Sequence, residues 1–308
     1  MAIVQKNDIV LWYNEVIVFT HNKFSEEKAL SENIEIKEDI ITVSGLKKQN
    51  GNVSVLDGID LSFTKKGIHC ILGPVGSGKT ALLDVLSLSV PFDGGSVVIG
   101  GNAVLPADGE KKLNPIKKRM SYVRRYGDFY SDMTVFEVMS FVGDVKKVAS
   151  AKRYRQIKEA LELVELDEMS GKLVKDLSTQ ENRLLGLAAA LIGNPDIIFV
   201  DEPNMTKNSQ DKCSLIFSEV LKMLGKRKTV IFATEYYDVA RELCDDVVIL
   251  SDGQILASGT FEALEERSAA GKTTLKALYE SLSKTSKYSG YDNLFGSEKS
   301  VERKNGGK

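Results

Sequence analysis

One eight-residue stretch limits what this chain can fold into: Gly73-Pro74-Val75-Gly76-Ser77-Gly78-Lys79-Thr80. It fits G-x-x-x-x-G-K-S/T, the phosphate-binding loop, which requires a strand in front and a helix behind. Ile68, Cys70, Ile71 and Leu72 make the apolar run of a buried strand, and Ala81 to Leu86 is compatible with a helix. The glycines let backbone N–H groups converge on phosphate oxygens where a Cβ would clash or forbid the dihedrals. Lys79 brings a positive charge to the β- and γ-phosphates, and the Thr80 hydroxyl is a candidate Mg²⁺ ligand. A helix N-terminus facing the phosphates completes the expected cradle.

Composition narrows the class. The chain has 308 residues, enough for one large domain or two small ones, and a net charge of −2, which offers no basic field for nucleic acid. Three cysteines (Cys70, Cys213, Cys244) and two histidines (His21, His69) show no metal-ligand spacing. That pattern suits reduced thiols, with Cys70 read as a small core residue. No apolar stretch reaches the ~18 residues needed to span a bilayer. The N-terminus has no basic region followed by a long apolar segment, so no signal peptide is expected.

Along the chain, Ile9 to Tyr13 and Val16 to Phe19 are β-prone around Asn14-Glu15, a possible hairpin, and Lys23 to Lys37 is a charged helix or linker. Ile40 to Phe63 reads as strands, with turns at Asn50-Gly51-Asn52 and Asp57-Gly58. Ser96 to Ile99 and Met120 to Val123 read as further strands, with a loop from Gly100 to Lys118 between them. Thr134 to Gly193 reads as helix throughout, and Ser178 with Glu181 three residues on has capping-box spacing. The α/β pattern then returns. Strands are expected at Ile197 to Glu202, Thr229 to Thr234, Asp246 to Leu250 and Gln254 to Ala257. Helices are expected at Ser209 to Leu224 and Tyr237 to Leu243, with a last apolar stripe at Leu275, Leu278, Tyr279 and Leu282. Lys284 to Lys308 is polar and is expected to be disordered.

A second constellation is Ile197 to Pro203, IIFVDEP. A wholly apolar strand running into Asp201-Glu202 puts two carboxylates at a strand's C-terminal end, the edge that faces the phosphate loop in a parallel sheet. Asp201 can hold Mg²⁺ through water, and Glu202 can polarise an attacking water.

These motifs, with a helical insert between them, resemble the nucleotide-binding subunit of an ATP-binding cassette (ABC) transporter over roughly Ile36 to Leu282. VLDGIDLSF, YSDMTVFEVMSF, LSTQENRLLGLAAALIGNPDIIFVDEP and DDVVILSDGQILASGT resemble successive family segments. TTLKALYESL is similar to cassettes that serve separate export permeases. The resemblance implies an α/β fold: a P-loop NTPase core with a parallel sheet, an antiparallel β-subdomain and an inserted α-helical subdomain at about 130–193. The ATP-binding domain would cover 36–285, flanked by an extension over 1–35 and a tail over 286–308. It also implies two subunits sandwiching two ATP molecules with Mg²⁺. Each site would take its phosphate loop from one subunit and its signature from the other, and closure would drive a membrane permease.

Departures from the family pattern fall on catalytic positions. The loop Gln becomes Arg125, and the signature LSGGQ reads Leu177-Ser178-Thr179-Gln180-Glu181, losing both glycines. A downstream Asp becomes Asn208, and the switch His becomes Glu235. No aromatic stands near Lys48-Gln49-Asn50 to stack on adenine. Losing one preorganised donor to a developing oxyanion costs about 10²–10³ in rate. An ionised Glu235 beside phosphate would add repulsion of up to several kcal/mol, roughly, at intermediate dielectric. Ser178 keeps its hydroxyl. The expectation is an export-type subunit that binds MgATP through residues 73–80, Arg125 and Ser178, with weakened hydrolysis at Glu202 and Glu235. It would pair with a second cassette, a heterodimer favoured, and sit at the inner face of the cell membrane through a permease. The alternative is a nucleotide-binding regulatory or scaffold module with little turnover. A small-molecule kinase leaves Asp201-Glu202 and the helical insert without a purpose.

Overall fold

The computed structural model describes residues 12–13, 16–17, 38–124, 129–201, 211–270 and 273–285. The chain divides into two units, Met1–Glu38 and Asp39–Lys308. In the first, β1 (Trp12–Tyr13) pairs antiparallel with β2 (Val16–Ile17). The charged stretch 23–37 lies outside the described residues, as does the polar tail beyond 285.

The second unit is built on two sheets. β5 (Gly67–Leu72), β8 (Met120–Val123), β9 (Ile197–Asp201), β10 (Thr229–Thr234), β11 (Asp246–Ser251) and β12 (Gln254–Gly259) form a six-stranded sheet in the order β12-β11-β5-β10-β9-β8. Every pair is parallel except β11–β12. β9 and β10 are buried on both faces, which is why they read as unbroken apolar runs. The second sheet is antiparallel, order β4-β3-β6-β7, from β3 (Asp39–Asn50), β4 (Val53–Thr64), β6 (Gly94–Ile99) and β7 (Asn102–Val104).

Alternation along the central strands feeds two cores. Ile198 and Val200 of β9, with Val230 and Phe232 of β10, face the helices α3 (Val135–Val145), α4 (Ser150–Leu163), α5 (Thr179–Leu191) and α6 (Lys212–Gly225). Ile197 and Phe199, with Ile231 and Ala233, face α1 (Lys79–Leu86) and the antiparallel sheet. A third core lies where α7 (Tyr237–Leu243), α8 (Phe261–Ala270) and α9 (Leu275–Thr285) meet Cys70, Leu72, Val247 and Ile249.

The chain departs from the sequence reading in three places. The stretch read as helix from 134 to 193 is broken by left-handed residues at Lys147 and Glu165. Residues 164–178 instead run as a linker with two 3₁₀ turns, bridged to Thr134 through Leu173. The expected loop 100–118 contains β7 and α2 (Glu110–Lys117), which tolerates Pro115 within its eight residues. Asp57-Gly58 is not a turn: β4 passes through it with Gly58 at φ 71°, where the β3–β4 register slips.

Candidate nucleotide-binding site

The phosphate loop connects β5 to α1, and its shape excludes larger residues at two points. A Cβ at position 73 would run into the Leu250 carbonyl oxygen and stand 2.5 Å from Ser77 Oγ. Gly78 has φ 104°, and a Cβ there would sit 3.0 Å from the Val55 carbonyl oxygen. The loop is tied on three sides. Gly73 N–H donates to the Thr234 carbonyl at the end of β10 (3.2 Å), and Ser77 N–H to the Pro74 carbonyl (3.2 Å). Gly253 N–H, in the β11–β12 turn, donates to the Ser77 carbonyl (3.0 Å). Lys79 Nζ donates to the carbonyls of Gly73 and Pro74, both at 2.8 Å, so the ammonium closes the loop on itself. Val75 is exposed at the surface, and Gly76 has φ 78°.

The N-terminus of α1 begins at the last glycine of the loop. Its N-cap, Gly78, supplies no side-chain cap, and no acid stands in its first turn. Ser77 is buried, and its hydroxyl oxygen has no hydrogen-bond partner among the described residues. A cradle that rejects a Cβ, a helix N-terminus with no capping side chain at Gly78 and a buried hydroxyl without a partner among the described residues together fit a phosphate chain.

Parallel pairing of β5, β10 and β9 carries Asp201 to the edge where the loop sits. Asp201 is buried, and Thr80 Oγ1 donates to its Oδ2 at 2.8 Å. The two oxygens fit a Mg²⁺ that draws its remaining ligands from phosphates and water. No group of three or more His, Cys, Asp or Glu side chains among the described residues could hold a metal by itself.

One turn beyond Thr80, Asp84 brings a carboxylate that the sequence reading passed over. Burial raises its pKa, the neighbouring Arg124 opposes that, and Asp201's charge adds to it. Arg124 lies 3.4 Å from Asp84 Oδ1 and 4.6 Å from the centre of the Tyr122 ring. The i,i+4 spacing from Thr80 to Asp84 was the signal available in the sequence.

The signature positions form the start of α5. Ser178 is the N-cap: its Oγ accepts from Glu181 N–H (3.2 Å), and its own N–H donates to Glu181 Oε2 (2.6 Å). The Ser178 N–H is the main reason the Glu181 carboxyl sits below its ordinary pKa. Ser178, Thr179 and Gln180 are exposed. Glu235 is half-buried directly after β10, and its carbonyl accepts from the Tyr279 hydroxyl (2.7 Å). Lys48, in the stretch without an adenine-stacking aromatic, pairs with Asp93 at 3.4 Å. Arg125, Glu202 and Asn208 lie outside the described residues.

Fold and loop together define an α/β P-loop NTPase. A sequence model of the ABC transporter family matches residues 56–205, and the chain carries the ATP-binding cassette domain of that family. It is 28% identical over 225 residues to a daunorubicin resistance ATP-binding protein of Streptomyces coeruleorubidus, covering 73% of this chain and 69% of that protein. It is 28% identical over 220 residues to a Nod factor export ATP-binding protein of Ralstonia nicotianae, covering 71% and 67%. Among solved structures, an ATP-binding subunit of an ABC transporter superposes with a TM-score of 0.67 at 18% identity, over 79% of this chain and 99% of that one. A dimeric cassette bound to ADP and Pi superposes at 0.65 with 22% identity, over 71% and 98%, and these likenesses establish the fold. ATP-binding subunits of this family bind nucleotide and work with membrane permeases. No helix among the described residues is long and apolar enough to cross a membrane.

Proposed function

We propose that the chain is the ATP-binding subunit of an export transporter, that it binds MgATP through residues 73–80, and that it drives or regulates a separate permease with weakened hydrolysis. The observation that carries this reading is the contrast within one site. The loop is closed by Lys79 with Thr80 on Asp201, while the switch position holds Glu235. Relatives named for daunorubicin resistance and Nod factor export favour outward transport. Thr80 and Asp201 would hold the Mg²⁺, which supplies charge neutralisation at the phosphates. Glu202 orients the attacking water, Lys79 binds the outer phosphates, and Arg125 stands where the family couples the site to its permease. Glu235 provides no donor for charge building on the γ-phosphate. Thr179 and Gln180 put side chains where a partner's nucleotide approaches α5, which favours pairing with a second, more complete cassette. The subunit would sit at the inner membrane face, held there by the permease.

A second reading, a regulatory module that binds nucleotide with little turnover, draws on Glu235 and on the acid that closes α5. Titration calorimetry with MgATP on the unmodified chain and on Lys79→Ala tests the shared core of both: binding is expected in the first and lost in the second. Unchanged affinity in Lys79→Ala removes the assigned pocket. Crosslinking from Tyr130, which is exposed, to a co-expressed permease then separates a transport subunit from a free-standing module.

A further inference from the structure

The end of β10 is where two parts of the molecule meet. On one side, the Thr234 carbonyl holds the first glycine of the phosphate loop through Gly73 N–H (3.2 Å), and Thr234 Oγ1 accepts from Tyr236 N–H (3.2 Å). On the other side, the next carbonyl, that of Glu235, takes the hydroxyl of Tyr279 at 2.7 Å from α9, a helix 44 residues further along the chain. Tyr279 is only 3% exposed, and its ring lies 6.3 Å from that of Tyr237. The surrounding contacts all draw α8 and α9 onto α7. Lys276 Nζ reaches Asp238 Oδ2 (2.7 Å), Tyr237 donates its hydroxyl to Glu265 (2.9 Å), and Arg241 pairs with Glu265 (3.0 Å). The Tyr279 bond differs from these in landing on the backbone of the loop that carries residue 235.

A buried tyrosine hydroxyl needs a partner, and a carbonyl in a turn between strand and helix has no ladder to satisfy it. Pairing the two fixes the peptide plane after Glu235, and with it the direction in which residue 235 leaves the sheet. We propose that Tyr279 is a positioning residue for the switch position: α9 holds the 234–237 loop through this hydroxyl, and so holds the phosphate loop that hangs from Thr234. This rests on the reading of residues 73–80 as the nucleotide site and of Glu235 as the switch position. Displacing α9 would then loosen the nucleotide site without touching any group that contacts nucleotide.

The test compares Tyr279→Phe, which removes the hydroxyl and keeps the ring, with Lys276→Met, which loosens α9 from Asp238 and leaves the hydroxyl in place. Amide hydrogen exchange is read at Tyr236 and Gly73, with Ile198 to Val200 of β9 as the internal reference for global opening. Losing one net hydrogen bond corresponds to about tenfold in a local opening equilibrium. Tyr279→Phe is therefore expected to speed exchange at Tyr236 and Gly73 by about 10-fold against β9, and to weaken MgATP binding, with smaller changes in Lys276→Met. Equal effects in the two variants would make Tyr279 mere packing for α9, and unchanged exchange in Tyr279→Phe would overturn the proposal outright. Loss of the nucleotide reading shows separately, as MgATP binding that survives Lys79→Ala, and leaves the exchange result standing.

Discussion

Two helix N-termini in this molecule have been finished in opposite ways. At α1 the N-cap is Gly78, which has no side chain to cap with, and no acid stands in the first turn. At α5 the N-cap is Ser178, and Glu181 folds back so that its carboxylate takes the Ser178 N–H while Ser178 Oγ takes the Glu181 N–H. The same reciprocal device closes α3 through Thr134 and Glu137, a helix to which no phosphate role is assigned. A helix N-terminus attracts an anion, and donors left open will take one from solution. α1 brings neither a capping side chain nor an acid of its own, whereas α5 has supplied its own carboxylate. A γ-phosphate presented to α5 by a partner would meet a charge of its own sign held 2.6 Å from the backbone donor it needs. The opposite end of α5 is closed from within as well: Lys146 Nζ donates to the carbonyls of Ala190 (3.3 Å) and Ile192 (2.7 Å) and to Ser121 Oγ (2.6 Å).

The largest effect is expected at the N-terminus of α1. Lys79→Ala removes the charge and releases the carbonyls of Gly73 and Pro74, so MgATP affinity should fall by at least about 100-fold by calorimetry. The closed helix comes next. Lys146→Met strips a cation from the C-terminus of α5 and leaves two carbonyls unpaired, an expected loss of roughly 1–3 kcal/mol in urea unfolding near neutral pH. Burial pushes the Lys146 pKa down to about 8 from 10.5. Between those values the unfolded chain binds more protons than the native one, so this contribution to stability rises with pH and is lost as pH falls through about 8. The gap between the unmodified chain and Lys146→Met should therefore widen from pH 8 to pH 10, by no more than about 3 kcal/mol. A gap that narrows with rising pH would contradict the assignment.

Smaller effects follow at the switch and the signature. Glu235→His restores a donor toward the γ-phosphate and should raise turnover by roughly 10-fold or more, measured as phosphate release. Adding Glu202→Gln should abolish that gain. Glu181→Gln keeps the capping geometry and removes its charge, and it should strengthen ATP-dependent association with a cassette partner by about 2- to 5-fold in sedimentation, the worth of one charge at a helix end. No change on Glu181→Gln would mean that Thr179 and Gln180, rather than the carboxylate, set how α5 meets a partner.

The sequence made the local features legible. The phosphate loop is eight consecutive residues; β9 and β10 are short runs whose burial on both faces leaves them unbroken; Ser178 and Glu181 are three apart on one helical turn. What it hid depends on the fold. Tyr279 meets Glu235 across 44 residues. His69, given no chemistry in the sequence, is buried with Nδ1 on Asp246 (2.8 Å), opposite it in the β5–β11 pairing, and Nε2 on the Thr64 carbonyl (3.0 Å). Arg124 lies on Tyr122 and against Asp84 because β8 and α1 converge there. The helical periodicity of 134–193 was real, but the chain turns twice through left-handed residues that no periodicity reports. Gly100 to Lys118 reads as a loop, yet its second half folds as the short α2, which accommodates Pro115.

The central claim, nucleotide held at the N-terminus of α1 with hydrolysis weakened at residue 235, is tested most directly by measuring MgATP binding and steady-state hydrolysis on one preparation of the unmodified chain, with Glu235→His alongside. The account predicts saturable binding in both proteins, hydrolysis slow or undetectable in the unmodified chain, and faster hydrolysis in the variant. Turnover in the unmodified chain equal to or above that of Glu235→His would contradict it, and would give Glu235 a direct part in the reaction.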